Sequence, residues 1–380
     1  MTDSQNWRAV YVEDNVKILD QVREYLEGED FDFGTLTVHG VSDFQDAKKQ
    51  LEQRKVDLLI LDVIHGDTFT GERRGRDVLS DWQKAGFAPV LFYTALPDSV
   101  RDLESAFTAV VAKDDGLAVL RDQICKIFAL RIPQIHRALS SHFDGVLCNY
   151  MWGFMTDHME ELSGLLEKPD FFRLLARRLA LEFTQNMKPS LEGLYPDANI
   201  SEPGDAMIHP VEYYVKPAIG TDLQLGDICK LEWQDEQRLF VVVWPSCDLV
   251  HRGGKGYRVE RALCAHTQRL RESREYVKWS KKRSKTSEGE LQRLMGNNRS
   301  SGQSERYHFL PGAWDIPSMI VDFGELEHIP LETLTSAERL ATVASPFAES
   351  MAARLVRYLG RLGTPDLDLQ LMLEHIEQEK

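Results

Sequence analysis

Between residues 7 and 130, five short apolar runs each stop at a polar or charged residue, with amphipathic stretches between them. No other feature limits the fold as strongly, because this is the rhythm of a parallel sheet covered by helices. Arg8-Ala9-Val10-Tyr11-Val12 reads as the first strand and ends in Glu13-Asp14-Asn15. Val16 to Leu26 then carries apolar residues at helical spacing: Val16, Ile18, Leu19, Val22 and Leu26. Leu36-Thr37-Val38-His39 reads as a second strand, followed by a helix from Asp43 to Gln53. Val56 to Leu61 is almost wholly apolar, as a central strand buried on both faces must be, and it stops at Asp62. Pro89 to Tyr93 ends at Thr94, and Ala109 to Ala112 ends at Lys113.

What stands at those strand ends is chemically specific. An open α/β sheet binds ligands outside the carboxyl edge of its strands. Here that edge collects Glu13, Asp14, Asp62, Thr94 and Lys113. Three crowded carboxylates repel one another and call for a cation, and hard oxygen donors suit Mg²⁺. A lysine and a hydroxyl beside them could hold the oxygens of a phosphoryl group carried on one carboxylate. An aspartate can be a phosphoryl-accepting nucleophile when a metal and a lysine neutralise the developing charge. The bland alternative is a doubly wound domain whose strand-end charges are simply solvated.

This constellation resembles the response-regulator receiver domain, over about residues 7–130, with its main chemical positions filled in order. The resemblance implies a five-stranded, doubly wound parallel sheet in which Asp62 is the phospho-acceptor. It implies that Asp14 and Asp62 bind Mg²⁺ directly, that the backbone carbonyl of Ile64 is a third ligand, and that Glu13 acts through water. Thr94, followed by the small Ala95, would hydrogen-bond the phosphoryl group, and Lys113 would pair with one of its oxygens. The implied partner is a histidine kinase or phosphotransfer protein within a phosphorelay. Three features depart from the family pattern. Asp114 follows the lysine where proline is usual, and Val110 stands where an aromatic residue commonly swings inward. The loop from Asp62 to Gly75 is long and polar, with His65, Asp67, Glu72, Arg73 and Arg74 in it. The acceptor chemistry is complete in sequence, whereas the usual relay to the output face is not.

Composition bounds the rest. At 380 residues the chain has room for two or three domains of about 150 residues each. A 43% hydrophobic fraction excludes disorder as the dominant state. The 45 basic and 60 acidic side chains leave a net charge of −15, which argues against a globally basic nucleic-acid coat. No apolar run reaches the roughly 18–20 residues of a membrane span, and the first residues lack the order of a signal peptide. Five scattered cysteines suggest a reducing compartment, so a cytoplasmic location is expected.

Arg131-Ile132-Pro133 marks an expected boundary. From Gln134 to Lys188 the pattern is helical, and its aromatic and methionine residues read as core or as a homodimer interface over 134–188. A Pro-, Gly- and Ser-rich stretch at 189–204 reads as a linker. Beyond it, short strands such as Gly226–Trp233, Arg238–Trp244 and Met319–Phe323 point to an α+β domain with a small β-barrel-like sheet. The stretch 226–250 resembles the SH3-like barrels of growth-inhibitor type. The expected organisation is therefore a receiver-like domain (1–130), a helical connector (131–204), a β-rich output domain (205–330) and a C-terminal helical segment (331–380).

Two output features invite chemistry. Cys247, Asp248 and His251 share one loop, and with Cys264 and His266 they could supply a nucleophile with a base or a Zn²⁺ set, although C-x3-H-x12-C-x-H departs from common zinc spacings. Buried structural cysteines and loop histidines are the bland alternative. From Arg269 to Lys285, eight cations stand against two carboxylates, a local +6. Trp279 among Arg274, Lys278, Lys281, Lys282 and Arg283 suggests stacking on nucleic acid, against a solvated excursion as the alternative. No helix-turn-helix, cyclase or histidine-kinase signature is present. The leading expectation is a phosphorylatable receiver controlling an output module. A receiver-gated effector enzyme or a nucleic-acid binder with its site in 205–330 is the alternative.

Overall fold

The structure is a computed structural model that describes residues 5–43, 47, 49, 51, 55–63, 75–162, 164, 169–185, 194–195, 207–252, 256–299, 304–361 and 368–378. It divides into two compact units, Met1–Glu202 and Pro203–Lys380. The N-terminal unit opens with β1 (Asn6–Val12), α1 (Val16–Gly28), β2 (Thr35–Val41) and β3 (Leu58–Leu61). It continues with α2 (Gly75–Ala85), β4 (Val90–Thr94), β5 (Thr108–Ala112) and α3 (Leu117–Ala129). The five strands are parallel in the order β2-β1-β3-β4-β5. That is the doubly wound 2-1-3-4-5 arrangement.

Alternation along β1 shows why this segment sits inside. Trp7, Ala9 and Tyr11 enter one core with α1 and α3, while Val10 and Val12 enter the opposite core with α2. All four residues of β3 are buried, as a central strand covered on both faces requires. In α1, Leu19, Val22 and Leu26 supply the buried stripe, and the Asn15 side chain accepts from the backbone amides of Lys17 and Ile18. Val16, expected on that stripe, is 56% exposed because it stands in the first turn. The helix expected from Asp43 to Gln53 and the polar loop after Val63 lie largely outside the described residues.

The connector helices belong to the same unit. Pro133 stands in the first turn of α4 (Ile132–Asn149), where its missing amide costs nothing. A π-helical segment (Tyr150–Met155), α5 (Met159–Leu162) and α6 (Pro169–Gln185) follow. Arg137 of α4 fastens this layer to the sheet. Its guanidinium lies over the Trp7 ring at 3.7 Å, donates to the Asn6 carbonyl at 3.0 Å and donates to both carboxylate oxygens of buried Asp57. Residue 130 is thus not a break between compact units, because an ion pair from 57 to 137 crosses it.

The C-terminal unit contains β6 (Tyr214–Val215), β7 (Asp227–Trp233), β8 (Glu236–Val242), β9 (Arg261–Arg269), α7 (Arg274–Lys281) and α8 (Lys285–Met295). These are followed by β10 (Tyr307–Leu310), β11 (Met319–Pro330), α9 (Leu331–Ser336), β12 (Glu338–Val343), α10 (Phe347–Leu359) and α11 (Leu369–Gln378). Seven strands make one antiparallel sheet in the order β10-β11-β9-β8-β7-β12-β6. Ile228, Val241 and Ala265 face a core closed by Ala348, Met351 and Leu355 of α10. Cys229, Phe240 and Cys264 face the other core, which α9 closes with Leu331 and Leu334. The fold is multidomain, a parallel α/β sheet followed by an antiparallel α+β unit. The boundary expected at 330/331 does not separate domains: β12 is paired between β7 and β6, so residues 331–380 are part of the same sheet unit.

Candidate functional site

Parallel register brings the strand ends of the N-terminal unit to one edge. Val12 lies beside Leu61 and Thr94 beside Ala112. The residues that follow are held by the ladder, with the Asp62 amide donating to the Val12 carbonyl at 2.9 Å and the Glu13 amide to the Val41 carbonyl at 3.0 Å. Side chains one step past these strands therefore converge. One oxygen each from Glu13, Asp14 and Asp62 lie within 4.8 Å of one another.

Lys113 bridges this group. Its Nζ donates to Glu13 Oε2 at 2.6 Å and to Asp62 Oδ2 at 2.8 Å. Glu13 is almost wholly buried, at 1% exposure, and is held from three sides. The Tyr11 hydroxyl donates to Oε2 and the Asn15 amide to Oε1 at 3.2 Å. Asp62 Oδ1 accepts from the Val63 amide at 2.7 Å, which fixes the carboxylate plane. Thr94 is fully buried, and its Oγ1 accepts from the Leu96 amide at 3.2 Å. Ala95 is exposed beside it.

The electrostatics follow from burial and crowding. Burial pushes the Glu13 carboxyl above the ordinary carboxylate range, against the pull of Lys113 and Tyr11. Burial works against the charge of Lys113, but Asp62 and Glu13 outweigh it and hold its pKa above the usual lysine value. Burial also raises the Tyr11 phenol, with Glu13 adding to the effect, so Tyr11 is a donor throughout the physiological range. Three carboxylates against one ammonium leave an excess of negative charge on hard oxygen donors, and this donor set fits Mg²⁺. Ile64, whose carbonyl is the implied third ligand, lies outside the described residues.

Two contributors were not legible beforehand. Tyr11 faces inward one position before the strand ends, and nothing in its spacing distinguishes it from core. Gly75 is the second: a Cβ built there would stand 2.2 Å from the Asp62 carbonyl oxygen and 2.8 Å from Val63 Cα. Only glycine allows the start of α2 to pass so close behind the acceptor, and a glycine just after a polar loop was the available signal.

The expected output sites do not assemble as chemistry. Among the described residues, Glu13, Asp14 and Asp62 form the one group of His, Cys, Asp and Glu donors close enough to share a metal ion. Cys264 lies in an apolar core where burial raises its thiol, whereas Cys247 is exposed on the short turn Ser246–Asp248. Asp248 pairs with Arg258 at 3.4 Å, and the His251 ring packs edge-on against Tyr257 at 5.1 Å. His266 leans on Phe240, with Nε2 3.7 Å from Glu327. The possible Zn²⁺ set does not come together: strand alternation turns Cys264 into the core, away from the exposed turn that carries Cys247.

The basic segment is rearranged as well. Tyr276 and Trp279 pack against Leu270, Leu291, Leu294 and Ile320 instead of standing free for base stacking. The Arg283 guanidinium lies 4.9 Å from the Trp279 ring centre, and Lys278 contacts both oxygens of Glu290 at 2.7 Å. Arg274, Lys281, Lys282, Arg283 and Lys285 remain exposed.

The N-terminal unit has the five-stranded parallel fold seen in receiver domains, with an acidic group at its carboxyl edge. Similar solved structures include the receiver domain of the hybrid histidine kinase CckA, at 21% identity over 32% of this chain and 97% of that one, with a TM-score of 0.25. A CheY-like receiver domain protein from Methanospirillum hungatei JF-1 is 20% identical over 32% of this chain and 93% of its own, TM-score 0.27. The RcsB response regulator of Salmonella typhimurium, in a structure concerned with its DNA interaction, is 15% identical over 52% of this chain and 93% of its own, TM-score 0.27. No protein-family model matches the chain, and no curated protein matches it. No helix among the described residues is long and apolar enough to cross a membrane.

Proposed function

We propose that the protein is a two-component-type response regulator that accepts a phosphoryl group on Asp62 and thereby controls its C-terminal unit. The observation that carries this reading is the Lys113 ammonium, held between Glu13 and Asp62 at the carboxyl edge of a 2-1-3-4-5 sheet. In the transfer, an oxygen of the Asp62 carboxylate attacks the phosphorus of a phosphohistidine or acyl phosphate. The donor's P–N or P–O bond breaks, and its electron pair leaves with the imidazole or carboxylate. Lys113 already touches the attacking group and is placed to follow the negative charge onto a phosphoryl oxygen. Thr94 stands at the end of the neighbouring strand, where its hydroxyl can donate to a second oxygen. Asp14 and Asp62 would hold Mg²⁺, with Glu13 acting through water and the Ile64 carbonyl as a further ligand; the ion supplies charge neutralisation for the transferring group. The partner is a histidine kinase or phosphotransfer protein.

Incubation with acetyl phosphate and Mg²⁺ is expected to add the mass of one phosphoryl group to the intact protein. The adduct is absent in Asp62→Asn and when EDTA replaces Mg²⁺. An equal response of wild type and Asp62→Asn removes the reading.

A second reading concerns output by nucleic-acid binding. The exposed cations Arg274, Lys281, Lys282, Arg283 and Lys285 lie on α7, on the link that follows it and at the start of α8 in a chain of net charge −15, which supports an anionic partner there. Binding to labelled DNA should then weaken steeply with salt, and Lys281→Glu with Arg283→Glu should flatten that slope. Affinity that is independent of both salt and these residues would end this reading.

A further inference from the structure

A cavity of 1370 Å³ opens within the N-terminal unit, on the side of the sheet where β1 begins and away from the acidic edge. The receiver-like fold contributes Phe33 and Phe128, stacked with ring centres 3.8 Å apart and planes 10° from parallel. The connector contributes Tyr150 and Phe154, with ring centres 5.1 Å apart. These two residues belong to the π-helical segment, a rare conformation that occurs frequently at functional sites. Phe33 is already covered by Phe31 and Phe128, whereas Phe154 of the connector is 44% exposed and suits a flat ring system.

The polar groups in the same cavity narrow the chemistry. Gln134 donates its amide to the Phe128 carbonyl at 3.3 Å, yet its buried Oε1 has no hydrogen-bond partner among the described residues. Three guanidinium groups, Arg131, Arg137 and Arg178, line the cavity against the carboxylates Asp32 and Glu182. Arg137 is committed to Asp57, whereas Arg178 is 3.9 Å from Glu182 and mostly exposed, so its donors are available. Arg131 lies over Tyr195 and donates to the Leu194 carbonyl at 3.3 Å.

We propose that this cavity binds a nucleoside phosphate, with the base on the aromatic wall of Tyr150 and Phe154 and the phosphate at Arg178 and Arg131. The site is separate from Asp62 and does not depend on the phospho-acceptor reading. It joins α3 of the receiver-like fold to α4, so an occupant contacts both layers at once.

Titration calorimetry of the full chain with ATP in EDTA is expected to show saturable binding at a stoichiometry near one. Adenosine, which lacks the phosphate, should bind on the order of tenfold more weakly. Arg178→Glu should weaken ATP on the order of tenfold. Gly145→Trp is the decisive variant. Gly145 lines the cavity in the middle of α4, a Cβ there meets nothing within 4 Å, and replacing a helical glycine favours the helix. Its unfolding temperature should hold or rise while ATP binding is lost. Asp62→Asn should bind ATP like wild type. Absence of saturable binding overturns the proposal, as does binding that survives both Arg178→Glu and Gly145→Trp. Equal affinity for adenosine and ATP overturns the phosphate assignment and with it the ligand class.

Discussion

Lys113→Met is expected to cost the N-terminal unit on the order of 3–5 kcal/mol at neutral pH, because it leaves Glu13 and Asp62 buried together with no cation between them. The loss should depend on pH with a definite sign. Burial already holds the Glu13 carboxyl above its unfolded value, and removing Lys113 takes away an opposing pull. A group whose folded pKa is raised contributes its stability below the unfolded value and loses it as pH rises through the folded value. The variant should therefore be closest to wild type in mild acid and furthest from it above neutrality. Mg²⁺ should recover part of the difference, since a divalent cation on the same oxygens replaces the missing charge. Thermal unfolding in EDTA and in Mg²⁺, at both pH values, measures this. An unfolding temperature unchanged at neutral pH in EDTA would show that Lys113 is not what holds the carboxylates together.

The second large effect lies in the other unit. His308 on β10 is 2% exposed, its Nε2 lies 3.3 Å from the Tyr213 hydroxyl, and its Nδ1 has no hydrogen-bond partner among the described residues. Burial pushes its pKa down to about 4 from 6.5, with Arg354 adding to the effect. A histidine lowered in this way contributes stability that is complete above the unfolded value and drains away as pH falls through the window to the folded one. At about 1.4 kcal/mol per pH unit, the C-terminal unit should lose roughly 3 kcal/mol between pH 6.5 and 4. His308→Leu keeps an apolar side chain in the same core and should abolish that dependence. Denaturant titrations at pH 7 and pH 5 decide the matter: parallel losses in wild type and variant would assign the acid sensitivity elsewhere.

The N-terminal half of the chain was the more legible in sequence, and the reason is local. A strand buried on both faces must be apolar along its whole length, so Val56 to Leu61 announced both the strand and the position of Asp62. The same rule located Thr94 and Lys113 by where apolar runs stop. What spacing could not show were partners set by the third dimension. Asp57 is one charge inside an otherwise apolar run, yet it is the anchor for Arg137, eighty residues later. Trp279 looked free among cations because helix α7 is polar on average, while its indole packs on Leu291 and Leu294. Cys247 and Cys264 lay close enough in sequence to share a possible Zn²⁺ set, with structural cysteines as the alternative, and one sits on an exposed turn and the other in the core. In each case the partner is a neighbour in space and not along the chain.

The placement of β12 bears on how the protein is made. Glu338 pairs with Lys230 and Val343 with Tyr214, so the strand that joins β6 to the rest of the sheet is the last of its seven to be synthesised. On a ribosome delivering the chain from its N-terminus, the parallel sheet has all its strands by residue 112, long before the second sheet can close. Until residue 343 emerges, β7 presents an unpaired edge to whatever is nearby. The two halves therefore mature on different clocks, the second only once β12 has been made.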